Sequence, residues 1–294
     1  MPSCLSKDSS VTSTRGISYA DDSTVYSKAK NIQDLIPVLE ENANNMINYC
    51  NSNGLKINSQ KTQIMTSSKQ VIQVKIGGSI VTSQKSINLL GLECDENFTT
   101  SPYLHNLEKE ASTRAALIKR LSFGMPNCLL KSLANGLLIG KILCSAPAAI
   151  PIRLDPNEMP YLSGILTEID KSIRSTARTI TKTKLNDKIR TETVLRKAGL
   201  RSLTEMVSET MACTMWKAQK DMNPLGQIFQ KKIPVKKTRS YYSDKILKPI
   251  PGHPEAATNK LAQIWNLANL SSAKSLGSAR SLAREWYKQS NLHG

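Results

Sequence analysis

The sequence predicts an α+β chain: a short antiparallel sheet with one packed helix over residues 17–97, followed by a mostly α-helical remainder. Three observations carry this. Short β-branched and aromatic runs, separated by turn-forming residues, fill much of the first hundred positions. A single apolar stripe at spacings of three and four interrupts them between Asn31 and Asn51. From Pro102 onward only the helical period remains.

Residues 1–16 are Ser/Thr-rich, show no periodicity and are expected to be disordered. Gly16-Ile17-Ser18-Tyr19 and Ser23-Thr24-Val25-Tyr26 read as two short strands flanking Ala20-Asp21-Asp22, a hairpin with both carboxylates at its tip. The helix that follows puts Ile32, Leu35, Ile36, Leu39, Ala43, Met46, Ile47 and Cys50 on one face. Asn31 suits its N-cap, Asp34 its positively polarised first turn, and Gly54 its stop. Pro37 predicts a kink or a later start. Leu55–Asn58 is expected to be a strand, continued at Thr62–Thr66 after a bulge or turn. Val71–Ile76 and Ser79–Val81 predict a hairpin turning on Gly77-Gly78, and Asn88–Leu92 a last strand.

Beyond these, Leu104, Leu107, Ala111, Ala115, Ile118 and Leu121 mark one face of a helix over 101–122. Further helices are expected at 127–144, 156–177, 195–220 (divided near Gly199) and 256–287. Residues 221–255, with Lys231, Lys232, Lys236, Lys237 and Arg239, read as a basic, weakly structured linker. The predicted divisions are therefore 1–16, 17–97, 98–220, 221–255 and a C-terminal helical tail, 256–294.

The net charge of +17 is unevenly placed: residues 1–100 hold 9 basic and 9 acidic side chains, residues 101–294 hold 31 and 14. A polyanion would thus meet the second part, by phosphate neutralisation and counterion release; a basic surface kept for solubility is the alternative. No apolar run approaches the roughly 18 residues of a membrane span, and no apolar segment follows Met1, so neither a membrane partner nor a secretory leader is expected. Six cysteines without a CxxC pair argue against a disulfide framework or a zinc site and for an intracellular, reducing compartment. His105, His253 and His293 are isolated, which leaves no catalytic triad, and no GxxxxGK[ST] loop is present.

Adjacent aspartates at a hairpin tip suit hard cations. Two Mg²⁺ ions about 3.5–4 Å apart, held by carboxylates on a rigid element, stabilise the attacking and leaving oxygens of phosphoryl transfer. A solvated turn is the commoner role of such a pair. Here, however, Tyr19-Ala20-Asp21-Asp22 resembles the YxDD box of reverse transcriptases. Gly54-Leu55-Lys56-Ile57-Asn58, with Lys61-Thr62, resembles the GLxxNxxKT motif of non-LTR retrotransposon enzymes, and Asn88-Leu89-Leu90-Gly91-Leu92 resembles their LG strand before the thumb. Order and spacing make the chain similar to the reverse transcriptase of a non-LTR (LINE- or jockey-like) retrotransposon, a C-terminal palm–thumb fragment. More loosely, 195–203, Trp216-Lys217, Trp265-Asn266 and 275–280 resemble the tail of those reading frames.

The resemblance implies a partial polymerase palm followed by a thumb and tail. It implies RNA-directed DNA polymerisation by two-metal nucleotidyl transfer, with Mg²⁺ or Mn²⁺, on an RNA template and a DNA primer. Asp21 is implied as a metal ligand and Asp22 as a support of the same cations. Tyr19 would lie under the primer terminus, with Ala20 facing the duplex and Lys61 near the incoming nucleotide's phosphates. Leu90, Gly91 and Leu92 would shape the primer grip, and Lys109, Arg114, Lys119 and Arg120 would hold the duplex backbone. A nuclear location follows from the family alone. The YxDD box begins 18 residues after Met1, so fingers and an earlier palm strand with another aspartate are expected to be missing. The expectation is a truncated, inactive enzyme with an exposed sheet edge at 17–26; a non-catalytic nucleic-acid-binding remnant or an inert pseudogene product are the alternatives.

Overall fold

The structure is a computed structural model that describes residues 11–68, 70–152, 154, 164–221, 225 and 257–292. The expected disorder of residues 1–10, the start of the helix at 156–163 and most of the basic linker fall outside those residues. The chain divides into two compact units, Met1–Pro102 and Tyr103–Gly294.

In the first unit, β1 (Val11–Tyr19) and β2 (Asp22–Ala29) form an antiparallel hairpin. It starts earlier than Gly16 because Val11–Arg15 find partners on β2: Thr14 lies opposite Ser27, and their hydroxyls are 3.0 Å apart. Ile17, Tyr19 and Tyr26 are all exposed. Helix α1 (Ile32–Ser52) runs unbroken through Pro37. Gln33, whose carbonyl loses its helical donor there, and Pro37 are both exposed, so the lost bond does not end the helix. At its end Gly54 takes a φ of 71°, Gly54 N donates to Asn51 O and Leu55 N to Cys50 O, the paired bonds of a Schellman stop.

The apolar stripe of α1 meets a second hairpin, β3 (Gln73–Ile76) with β4 (Ser79–Thr82). Ile72, Val74 and Ile76 are buried beneath Ile32, Ile36, Leu39, Ala43 and Ile47, and Glu40 Oε1 accepts the Lys75 backbone N–H at 2.8 Å. Gly77 and Gly78 both have positive φ, which the two-residue turn requires. A third hairpin joins β5 (Ser86–Leu89) to β6 (Leu92–Asp95). The sheet is therefore three separate antiparallel pairs.

Two expected strands are corrected. Leu55–Asn58 is irregular, with Leu55 exposed. Asn58 competes for the backbone: its Oδ1 accepts from Gln60 N, and its carbonyl from Lys61 N and the Thr62 hydroxyl, winding Ser59–Lys61 into a 3₁₀ turn. Thr62–Thr66 keeps only one isolated bridge, Met65 to Gln84. Asn88–Leu92 is not one strand but the end, turn and start of two, because Leu90 and Gly91 adopt φ of 50° and 82°.

The second unit is helical. Helix α2 (Ser101–Leu121) buries Leu104, Leu107, Ala111 and Ile118, as its spacing predicts. The expected helix at 127–144 is α3 (Asn127–Leu133), a π-helical segment (Ala134–Ile139) and α4 (Gly140–Cys144). Leu130, Ala134, Leu138 and Ile142, spaced by four, form its buried stripe. By length and composition alone this stretch is apolar enough to cross a membrane, contrary to the sequence expectation; 28% of it is buried, and it carries Lys131 and Lys141. A short α5 (Ala146–Ala149) precedes α6 (Ile165–Thr181), α7 (Thr191–Ala198) and α8 (Leu203–Lys220). Gly199 ends α7 at φ 67° and Ser202 caps α8, the division anticipated near Gly199. The tail is α9 (Ala257–Leu267), a 3₁₀ turn at Leu270–Ser272 and α10 (Leu276–Leu292).

Helix α8 is the hub. It buries Leu203, Met206, Val207, Met211, Ala212, Met215 and Ala218, and packs against α10, α9 and α5. On the same helix Glu209, 10% exposed, is ion-paired with Arg201, with Arg280 (3.1 Å) and with Arg284 (2.8 Å). Burial pushes its carboxyl pKa up, but the hydrogen bonds from Arg284 and Arg201 outweigh that and hold it below the usual range. A depressed folded-state pKa contributes stability that is present above the unfolded value and lost as pH falls through the folded one. Asp170 on α6 is also buried, and accepts the Leu203 N–H at 3.0 Å.

Glu209→Gln should lower unfolding stability by about 2 kcal/mol at pH 7, since it removes the buried charge from three arginines that stay half-solvated. In urea melts followed by circular dichroism, the gap between variant and wild type should close as pH drops below the ordinary glutamate range. A gap that persists in acid would assign the effect to packing.

Candidate functional site

Tyr19-Ala20-Asp21-Asp22 forms a two-residue turn: Tyr19 pairs with Asp22, and Ala20-Asp21 span the reversal. Ala20 has a φ of 52°, a left-handed conformation that costs an L-residue roughly 1–2 kcal/mol. A glycine there would be free of that cost, so the strain is set by the hairpin register and not by local preference. Asp21 occupies the second turn position; Asp22 opens β2, directly opposite Tyr19. Every side chain from Arg15 to Thr24 is exposed, Tyr19 to 69%. Neither aspartate's carboxylate makes a hydrogen bond or ion pair to any described residue. The turn thus presents two solvated carboxylates on which no other part of the fold leans.

Lys61 ends the 3₁₀ turn after α1, exposed and not ion-paired with Asp21 or Asp22. The segment just beyond it is tied to the third hairpin: Gln63 Oε1 accepts the Asn88 N–H at 3.1 Å. The structure therefore places Lys61's segment beside the Asn88–Leu92 turn. At that turn Leu90 is 62% exposed, Gly91 supplies the second positive φ, and Leu92 pairs back to Leu89. Leu90 and Gly91 are thus tip residues, where the sequence suggested the middle of a strand.

Of the cations expected to hold a duplex, all on α2 in the second unit, Lys109, Lys119 and Arg120 are exposed, and none is ion-paired among the described residues. Arg114 differs. Its Nη1 donates to Leu137 O at 2.6 Å, inside the π-helical segment, and its Nη2 to Glu110 at 3.1 Å, which Lys141 also meets at 3.3 Å. Arg114 is therefore committed to holding α2 against its neighbour. Glu209 and Asp170, the buried acids, were not singled out from sequence. Their signal was an acidic residue among apolar positions of a helix, since buried carboxylates occur almost only when paired.

A divalent cation of the Mg²⁺ type is held by one or two carboxylates together with water and substrate phosphates. Asp21 and Asp22 are two adjacent, exposed carboxylates, the donor type such a cation takes. Among the described residues no group of three or more His, Cys, Asp or Glu side chains could hold a metal ion.

Residues 6–94 match the family of reverse transcriptases, RNA-dependent DNA polymerases. That span contains the Tyr19–Asp22 turn, Lys61 and the Leu90–Leu92 turn, and stops short of α2. The family generally depends on divalent metal and acts on nucleic acids. No curated protein and no solved structure matches the chain.

Asp21→Ala/Asp22→Ala should leave thermal and urea stability within about 0.5 kcal/mol of wild type, because neither side chain has a partner in the fold. A loss of 2 kcal/mol or more would show that the pair is structural.

Proposed function

We propose that this chain, with its reverse transcriptase domain at residues 6–94, is the palm-to-thumb part of an RNA-directed DNA polymerase from a non-LTR retrotransposon. The observation that carries the reading is the pair Asp21–Asp22, solvated and unpartnered on a strained turn. Charges that do nothing for the fold, held where the backbone is costly, are what a functional site retains. The order of Tyr19–Asp22, Gly54–Thr62 and Asn88–Leu92 supports the non-LTR assignment.

Asp21 and Asp22 would hold Mg²⁺ or Mn²⁺, which when bound offsets charge on the attacking and leaving oxygens of nucleotidyl transfer. Tyr19, opposite Asp22, supports the primer terminus, and Ala20 faces the duplex. Lys61 sets its ammonium against the incoming nucleotide's phosphates, where it offsets charge or donates a proton to departing pyrophosphate. The Leu90–Gly91–Leu92 turn bears on the primer end. Lys109, Lys119 and Arg120 meet the backbone of the RNA–DNA duplex; Arg114 positions α2. The site of action is nuclear. Two carboxylates, with no third acid grouped beside them among the described residues, are an incomplete ligand set, and the chain by itself is read as inactive.

A second reading, nucleic-acid binding without catalysis, is favoured by the charge distribution: the whole excess of 17 positive charges lies beyond residue 100. The experiment is primer extension on an RNA template with Mg²⁺ or Mn²⁺, with binding of the same primer–template followed in parallel. The expected result is salt-sensitive binding, no extension, and no change in Asp21→Ala/Asp22→Ala. Extension that disappears in the variant would refute inactivity and establish the carboxylates as catalytic. Absence of binding would sink both readings.

A further inference from the structure

Three helix termini of the second unit line an open surface cavity of about 310 Å³: the start of α3 and the ends of α6 and α7. Its wall includes Lys131, Arg196 and Lys197 together with Asn127, Cys128 and Thr181, and no acidic residue. The three cations are exposed, and none is ion-paired among the described residues. Lys131 reaches across to the end of α7, where a Cβ on Gly199 would lie 2.2 Å from its Nζ. Gly199 thus serves twice, as the left-handed cap of α7 and as the gap the lysine passes through.

Cations at helix C-termini have an ordinary structural role, because each terminus carries roughly half a negative charge. Two such termini, of α6 and α7, amount to about one negative charge against three positive ones, and the start of α3 adds no negative charge. The surplus of about two positive charges is what the structure leaves unexplained. It sits in a concave, acid-free site whose polar lining offers a further donor from the exposed Asn127 side-chain amide.

We infer that this cavity is a nucleic-acid contact, taking phosphodiesters of a strand through Lys131, Arg196 and Lys197. The inference rests on the reading that the chain binds nucleic acid, and adds a site on elements outside the reverse transcriptase match and outside α2. Recognition here is of backbone charge and not of bases, because the wall presents no aromatic side chain for stacking.

Two measurements on the full chain test it, with a short RNA–DNA hybrid as probe. In the first, Lys131→Gln/Arg196→Gln/Lys197→Gln is compared with Lys75→Gln/Lys274→Gln/Lys288→Gln, which removes the same charge from exposed positions off the cavity. The cavity variant should bind about tenfold more weakly than the control at moderate salt, and the slope of log affinity against log salt should fall by about one for each cation engaged. The second needs no variant: iodoacetamide alkylation of Cys128, in the cavity wall, is followed by mass spectrometry alongside Cys144, also exposed but not in that wall. Hybrid should slow alkylation at Cys128 and leave Cys144 unchanged. If the hybrid binds but Cys128 stays unprotected, or the cavity variant loses no more affinity than the control, the inference fails and the proposed function stands. If wild type binds no hybrid, both fail; binding with Cys128 protected and the cavity variant weakened supports the cavity whether or not extension occurs.

Discussion

Arginines from separate stretches of chain converge on Glu209, and the second unit depends on that convergence. A carboxylate nearly removed from water is tolerable only when donors surround it. Arg201 comes from the link between α7 and α8, Arg280 and Arg284 from successive turns of α10. Because α8 is buried along most of its length, placing its one deep carboxylate also fixes the rotation of α10 and the entry of the chain from α7. The Ser202–Tyr287 hydroxyl pair and the Trp216 indole bond to Ala273 O lie along the same interface and agree with that placement. Apolar packing supplies adhesion between these helices; the ion cluster selects one register for it.

The first unit shows the opposite use of charge. Its core is a small stack of Ile72, Val74 and Ile76 under the α1 stripe, and its acids at the β1–β2 turn take no part in it. Glu209 has partners and organises packing, whereas Asp21 and Asp22 have none and organise nothing. The same residue class is thus divided between charges that the fold satisfies and charges that it leaves to solvent.

Among the basic residues the division recurs. Arg114 and the arginines around Glu209 are held in hydrogen bonds, while Lys109, Lys119, Arg120 and the three cations of the helix-end cavity are left to solvent. Under the proposed function a polyanion partner would draw on the second group, because releasing counterions from a free cation costs no internal bond. Counting Lys and Arg along the chain gives the total field; only the contacts reveal which charges are available.

By itself the sequence determined the elements whose logic is local. The reversal at Ala20-Asp21, the stripe of α1, the Gly54 stop, the Gly77-Gly78 turn, the buried face of α2 and the break at Gly199 all follow from period, cap or φ preference within a few residues. The motif around Asp21 and Asp22 was legible for the same reason, being four consecutive residues. Tertiary structure decided what depends on a partner elsewhere. Leu55–Asn58 has strand composition but no strand to join, so the Asn58 side chain captures the backbone. Leu90-Gly91 became a turn because β6 folds back on β5. Glu209 meets Arg284, 75 positions away, and Lys131 passes Gly199. No local rule specifies such meetings, since they arise only when buried surfaces bring distant helices together.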